Sequence, residues 1–275
     1  MPTRHQLRSG PTSDSAPPAE TLYGVVAPFL VKPGDFLRCI KPLDVYIGGD
    51  GALSFLQREC STTVDALEIY VSDDDWRHII YHLTFSQHAY QVPCPVVDNV
   101  GPAWALMHGL DSVITMRTPK GDIHVYRVLP NIDTLTPIAR AWCSLHVCYV
   151  NVHHFGAGYP SMLFANRALL SDGEDVDDTD SCNLYVDRGF DIRLSADYWP
   201  DIANPTHTCH AAGWMCPAQA RTFTDAGALR CRMEPLVTDP VETCVVWRLD
   251  TRPCGGTCVM DGGGVLAPWQ FYDSL

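Results

Sequence analysis

Lysine is nearly missing from this 275-residue chain. Only Lys32, Lys41 and Lys120 stand among its 19 basic residues, against 32 carboxylates, for a net charge of −13. A surface of that sign repels phosphate backbones and anionic lipid, so neither nucleic acid nor membrane is an expected partner. The lysine scarcity itself reads as a codon or lineage bias. Long hydrophobic runs are lacking too: the longest, such as 24–31, falls far short of the roughly 18–20 residues that span a bilayer. The first residues carry no apolar core of a secretory signal. A cytoplasmic or nuclear setting is expected, with most cysteines as reduced thiols. No P-loop, G-x-S-x-G elbow or dinucleotide fingerprint occurs, and no internal repeat.

What is present is the composition of a globular protein, 46% hydrophobic and 19% charged. Residues 1–20 are polar and rich in proline and serine, the makeup of a disordered tail. Between Asp172 and Asp180 six carboxylates crowd into nine residues, and their mutual repulsion predicts a solvated loop. That run lacks the sixth-position glycine and twelfth-position glutamate of an EF-hand. These breaks divide the chain into a tail (1–20), a core (21–170), an acidic loop (171–181) and a C-terminal extension (182–275). The extension holds seven of the 12 cysteines.

Within the core, Leu43–Ile47 reads as a strand and Gly48-Gly49-Asp50-Gly51 as a turn, with a helix beginning at Ala52. Leu67–Val71 is a second strand. Ser72–Asp75 follows as a capping box, and Trp76, Ile79, Ile80 and Leu83 give the next helix one apolar face. Ser112–Arg117 and Asp122–Val128 alternate as a hairpin about Thr118-Pro119-Lys120-Gly121. Thr136-Pro137 predicts the start of a helix over 138–145, while 147–152 fits helix or strand equally. In the extension, 184–186 and 244–249 read as strands. The fold class is α+β, a mixed β-sheet flanked by helices, with a loop-rich C-terminal extension.

Strand, Gly-Gly turn, helix, then a strand bearing acidic residues is how the nucleotidyltransferase (polymerase β-like) fold opens. The turn at a helix N-terminus cradles a triphosphate, and carboxylates one residue apart on a strand share a face to hold Mg²⁺. The chain resembles in particular a fungal group of nucleotidyltransferase-like proteins, reading roughly G-S-x-A-L-x-F-F, then D-L-D-I-Y-V, a hairpin, and a Phe-His-Ser-Thr-x-Val-Met-Asn-like helix before Tyr-Pro. Gly49–Leu56, Ala66–Val71, Gly121–Val125, Ser144–Asn151 and Tyr159-Pro160 match in that order, and Cys209, Cys216-Pro217 and Arg221–Asp225 echo a later stretch. The resemblance covers about residues 43–230.

It implies nucleotide contacts at Gly48, Gly49, Asp50 and Gly51, and metal and catalytic duties on the strands that follow. The departures are specific. Asp50 stands where a serine would meet the terminal phosphate, Ala66 where the first carboxylate belongs, and His124 at the third position; Glu68 alone fills its slot. Asp65 lies one residue, and Asp122 two, from an expected position. One carboxylate cannot order two Mg²⁺ ions for in-line transfer, so the expectation is a catalytically degenerate protein acting as a binding or accessory module. An active, Mg²⁺-dependent transferase is the alternative, with Asp65, Glu68 and Asp122 catalytic and Asp65, Glu68 and His124 as metal ligands. A third reading is an interaction protein working through the Cys-rich part, where Cys209, Cys216, Cys231 and Cys254-x3-Cys258 allow zinc without a C-x2-C pair. A nucleotide, another small molecule or a protein is the expected partner. His78, His82 and His153-His154 read as partly exposed histidines. Cys143 and Cys148 flank His146, and a thiol–imidazole pair is judged in space.

Overall fold

The computed structural model describes residues 18–57, 64–94, 104–171, 179–202, 213–233 and 243–249. Its centre is an eight-stranded sheet, β1 (Val45–Ile47), β2 (Ala66–Val71), β3 (Tyr90–Val92), β4 (Leu110–Arg117), β5 (Asp122–Val128), β6 (Cys148–Val150), β7 (His154–Ala157) and β10 (Leu229–Arg232). The spatial order is β10-β7-β6-β1-β2-β5-β4-β3. Adjacent strands run antiparallel except β2 and β5, which pair in parallel with Ala66 opposite Asp122 and Glu68 opposite His124. A separate parallel pair joins β8 (Arg167–Leu169) to β9 (Asp191–Arg193). The expected mixed sheet flanked by helices is present, and among the described residues no helix is long and apolar enough to cross a membrane.

Strand alternation sorts the side chains into two faces. On one, Val45, Ile47, Leu67, Ile69, Val71, Ile123, Val125 and Val150 join a single apolar cluster with Leu22 and Val26 of α1 (Pro18–Val26), Phe36 and Ile40 of α2 (Pro33–Ile40), Leu53 and Phe55 of α3 (Gly49–Leu56), and Ile79 and Leu83 of α4 (Trp76–Ser86). On the other stand Tyr46 and Tyr149 edge to face at 5.4 Å, and Tyr70 stacked on Tyr126 at 4.5 Å. That face is covered in part by Leu135, Ile138, Tyr159, Phe223 and Trp247.

The hairpin of β4 and β5 matches its expected ends, with Thr118 N–H bonded to the Gly121 carbonyl across the turn. Five expectations need correction. Helix α1 begins at Pro18, inside the stretch read as a tail; residues 1–17 lie outside the described residues. The helix expected over 138–145 is only α5 (Thr136–Ala139), because the chain then pairs with β8's end: Cys143 bridges Leu170, and Ser144 N–H bonds the Leu169 carbonyl at 2.9 Å. Cross-strand bonds outweigh helical propensity there, and 148–150 becomes β6. A further short helix, α6 (Pro160–Leu163), follows β7.

The acidic run is described only at its end, where Thr179 and Asp180 open helix α7 (Thr179–Asp187) instead of continuing a loop. Residues 184–186, read as a strand, belong to this helix; Tyr185 is buried while Leu184 and Val186 are exposed. Of the strand expected over 244–249, an isolated bridge from Trp247 to Arg221 is what forms. The described residues after 181 pack onto the core: β10 completes the sheet beside β7 and α7 packs at the start of α3. Of the described cysteines, Cys39, Cys94, Cys143, Cys148, Cys231 and Cys244 are free thiols. Cys209, Cys254 and Cys258 lie outside the described residues.

Candidate functional site

The Gly-Gly turn is where the sheet meets α3. Glycine is required at two successive positions for different reasons. Gly48 closes the ladder by donating its N–H to the Glu68 carbonyl at 3.2 Å, and a Cβ there would lie 2.6 Å from the Tyr70 ring. Gly49 takes a φ of +52°, and a Cβ there would lie 2.5 Å from the Glu68 carboxyl carbon and 2.6 Å from both its oxygens. The helix begins at Gly49 itself, earlier than the expected Ala52, so Gly49, Asp50 and Gly51 belong to its first turn. The turn therefore closes directly onto the carboxylate of the next strand.

Glu68 is half-buried, and Tyr70 donates its hydroxyl to Glu68 Oε2 at 3.0 Å. Burial pushes the Glu68 carboxyl above the usual range, and the Asp50 charge adds to this; His146 and the Tyr70 hydrogen bond oppose it. Asp50, by contrast, is surrounded by donors. Tyr185 of α7 donates to Oδ1 at 2.6 Å, Arg188 Nη1 to Oδ2 at 3.0 Å, and His146 Nε2 stands 3.6 Å from Oδ1. Burial raises this carboxyl, but His146, Tyr185 and Arg188 outweigh it and bring it down to about 2. Burial likewise lowers His146, yet Cys143 and Asp50 on its two sides carry it up to about 10. Asp50 and His146 form an ion pair at neutral pH.

Helix α7 is what completes this cluster. Its last turn continues into Arg188, whose N–H bonds the Leu184 carbonyl, and Gly189 at φ +92° ends it. Tyr185 and Arg188, three apart, therefore fall on one face. The Arg188 guanidinium also lies over the Tyr185 ring at 4.9 Å, and that ring meets His146 edge to face at 5.0 Å. Reading 184–186 as a strand concealed both residues. The spacing Tyr-x-x-Arg before a glycine was the available signal, and it is legible only at helical period.

The residues expected to hold metal do not gather around Glu68. Asp65 is exposed and precedes β2. Asp122 shares the Glu68 face, but its two oxygens accept from Arg117 Nε and Nη2 at 2.7 and 2.8 Å. That contact outweighs a modest burial, which would raise it, and holds the Asp122 carboxyl below its usual value. His124 stands opposite Glu68 with Nδ1 2.9 Å from the Thr115 hydroxyl, and burial lowers its imidazole. Among the described residues no three histidine, cysteine, aspartate or glutamate side chains converge as a metal site would require. A pair of Mg²⁺ ions needs several shared oxygens at near-octahedral geometry, and this donor set does not fit them. The chain matches no family model, no curated protein and no solved structure.

Proposed function

We propose that this chain is a nucleotidyltransferase-fold protein, of the fungal group it resembles, that transfers no nucleotide and serves as a cytoplasmic or nuclear binding or accessory module. The observation that carries the reading is the seating of Glu68 against Gly49. In a transferase the turn would present backbone N–H groups to phosphate and the strand carboxylate would reach for metal. Here the carboxylate packs on the turn, and a second one, Asp50, engages Arg188, Tyr185 and His146. The cations near the turn are committed to an acid of the chain itself. The scatter of Asp65, Asp122 and His124 supports the same reading.

Incubation of the full chain with labelled nucleoside triphosphates and Mg²⁺ or Mn²⁺ tests it. Pyrophosphate release should not rise above a protein-free control. Release that Glu68→Ala abolishes would overturn the proposal in favour of the active alternative.

A further inference from the structure

The central sheet ends, on the side away from β3, in a strand with one open edge. β10 pairs with β7, and among the described residues no strand lies on its other side. The ladder decides which of its residues face that opening. In an antiparallel pair, residues that exchange backbone hydrogen bonds with the partner alternate with residues that turn N–H and carbonyl away from it. Met233 N–H bonds the His153 carbonyl at 2.7 Å, so Cys231 and Leu229, at two-residue steps from it, also address β7. Arg230 and Arg232 turn their backbone groups outward.

The side chains at this edge are of one sign. Arg230 and Arg232 share the tyrosine face with His154, which stands opposite Arg232, and with Tyr149, whose ring lies over Gly156 opposite Arg230. β6, β7 and β10 carry no carboxylate, in a chain where acids outnumber bases 32 to 19. Arg117, Arg127, Arg167, Arg188 and Arg221 each engage a carboxylate. By contrast, the half-buried Arg230 guanidinium has neither an ion pair nor a hydrogen bond among the described residues. The His154 imidazole registers the same field: burial lowers it, and the charges of His153, Arg230 and Arg232 lower it further, with no carboxylate to offset them.

We propose that β10 is a docking strand for an extended, acidic peptide segment of another protein. The segment adds to the eight strands as a ninth, exchanging backbone hydrogen bonds with Arg230. Cross-strand partners put their side chains on one face, so the residue opposite Arg230 sets its carboxylate against the guanidinium. Arg232, exposed and two residues along, favours a second acid at the alternate position. Charge selects this occupant. The β10 of a second copy would lay arginine against arginine, and a neutral or basic strand would leave the Arg230 charge unanswered. The edge lies three strands from β1 and the Gly-Gly turn, so the proposal stands or falls apart from nucleotide transfer.

Fluorescence anisotropy with the full chain tests it. The probe is a short labelled peptide of alternating valine and glutamate, run beside two relatives. One carries lysine in place of glutamate; the other is N-methylated at every glutamate, which keeps the charge and blocks strand pairing. The parent peptide should bind at least about tenfold more tightly than either, and Arg230→Glu should weaken it by at least about tenfold. No binding of the parent peptide overturns the proposal, and so does an N-methylated peptide that binds equally well; neither result needs a variant. An Arg230→Glu chain that folds by circular dichroism and keeps the native affinity overturns it too. Sedimentation closes the remaining route: a dimer that excess peptide fails to dissociate would assign the edge to a second copy and overturn the proposal.

Discussion

The two faces of the central sheet use the same strands for opposite ends. In β2, Leu67, Ile69 and Val71 enter the aliphatic cluster under the helices, while Ala66, Glu68 and Tyr70 between them face the tyrosines. In β5 the split is the same, Ile123 and Val125 against Asp122, His124 and Tyr126. One face is uniform in chemistry and tolerates no polar atom, so its contribution is burial. The other is a row of hydroxyls, rings and acids whose value depends on each partner being present. Strength and chemistry are separated by one residue position along the pleated strand, which lets the polar row change in composition without loosening the helices beneath.

The largest effect should come from the aliphatic face. Leu67→Ala removes a fully buried side chain at the middle of the sheet and should cost about 2–5 kcal/mol in urea denaturation. Glu68→Gln, its neighbour on the opposite face, should cost far less, because burial already disfavours the Glu68 charge. Comparable losses at the two positions would break the contrast between the faces.

Gly49→Ala should rank next, with about 1–3 kcal/mol lost, since it adds a left-handed backbone penalty to a Cβ colliding with the Glu68 carboxyl. Combining it with Glu68→Ala should return the collision part and leave the backbone part. Purely additive losses would mean that the turn does not rest on Glu68.

A third effect is a slope with pH. The His146 imidazole is raised from 6.5 to about 10 in the fold. Its contribution is therefore whole below the unfolded value of 6.5 and fades as pH climbs toward 10. The denaturation midpoint should decline across that interval, and His146→Gln should flatten the decline. Asp50 works in the opposite direction: depressed to about 2, it contributes above its ordinary 3.8 and loses that contribution as pH falls toward 2. By comparison, the Arg117–Asp122 pair sits near the surface, with Arg117 half exposed, and solvent screening leaves pairs of that kind little to contribute.

Much of the aliphatic face was legible in the sequence. Alternation over 67–71 and 122–128 and the Pro-Gly turn between 117 and 122 carry local signals, and local signals decide hairpins. The Gly-Gly turn was legible as well, because its backbone demand is written in its own residues. The polar cluster was not. Asp50 reads in sequence as part of a phosphate site, but its partners Tyr185 and Arg188 arrive from far along the chain, on a helix that short apolar spacing disguises as a strand. The helix expected after Thr136 failed for the same reason: its end is claimed by Leu169 and Leu170, which no window around 140 contains. Asp122 stands beside Ala66 in register, and Arg117 across the hairpin engages it.

The place of β10 also shapes how the protein is made. Strand β7 pairs on one side with β6 as soon as both have left the ribosome, but its other edge waits for Leu229–Arg232. Until residue 229 is synthesised, that edge presents open N–H and carbonyl groups to any passing strand. A chain stopped between Ala157 and Leu229 should therefore carry an open, aggregation-prone border on β7, and it should precipitate more readily than the full chain.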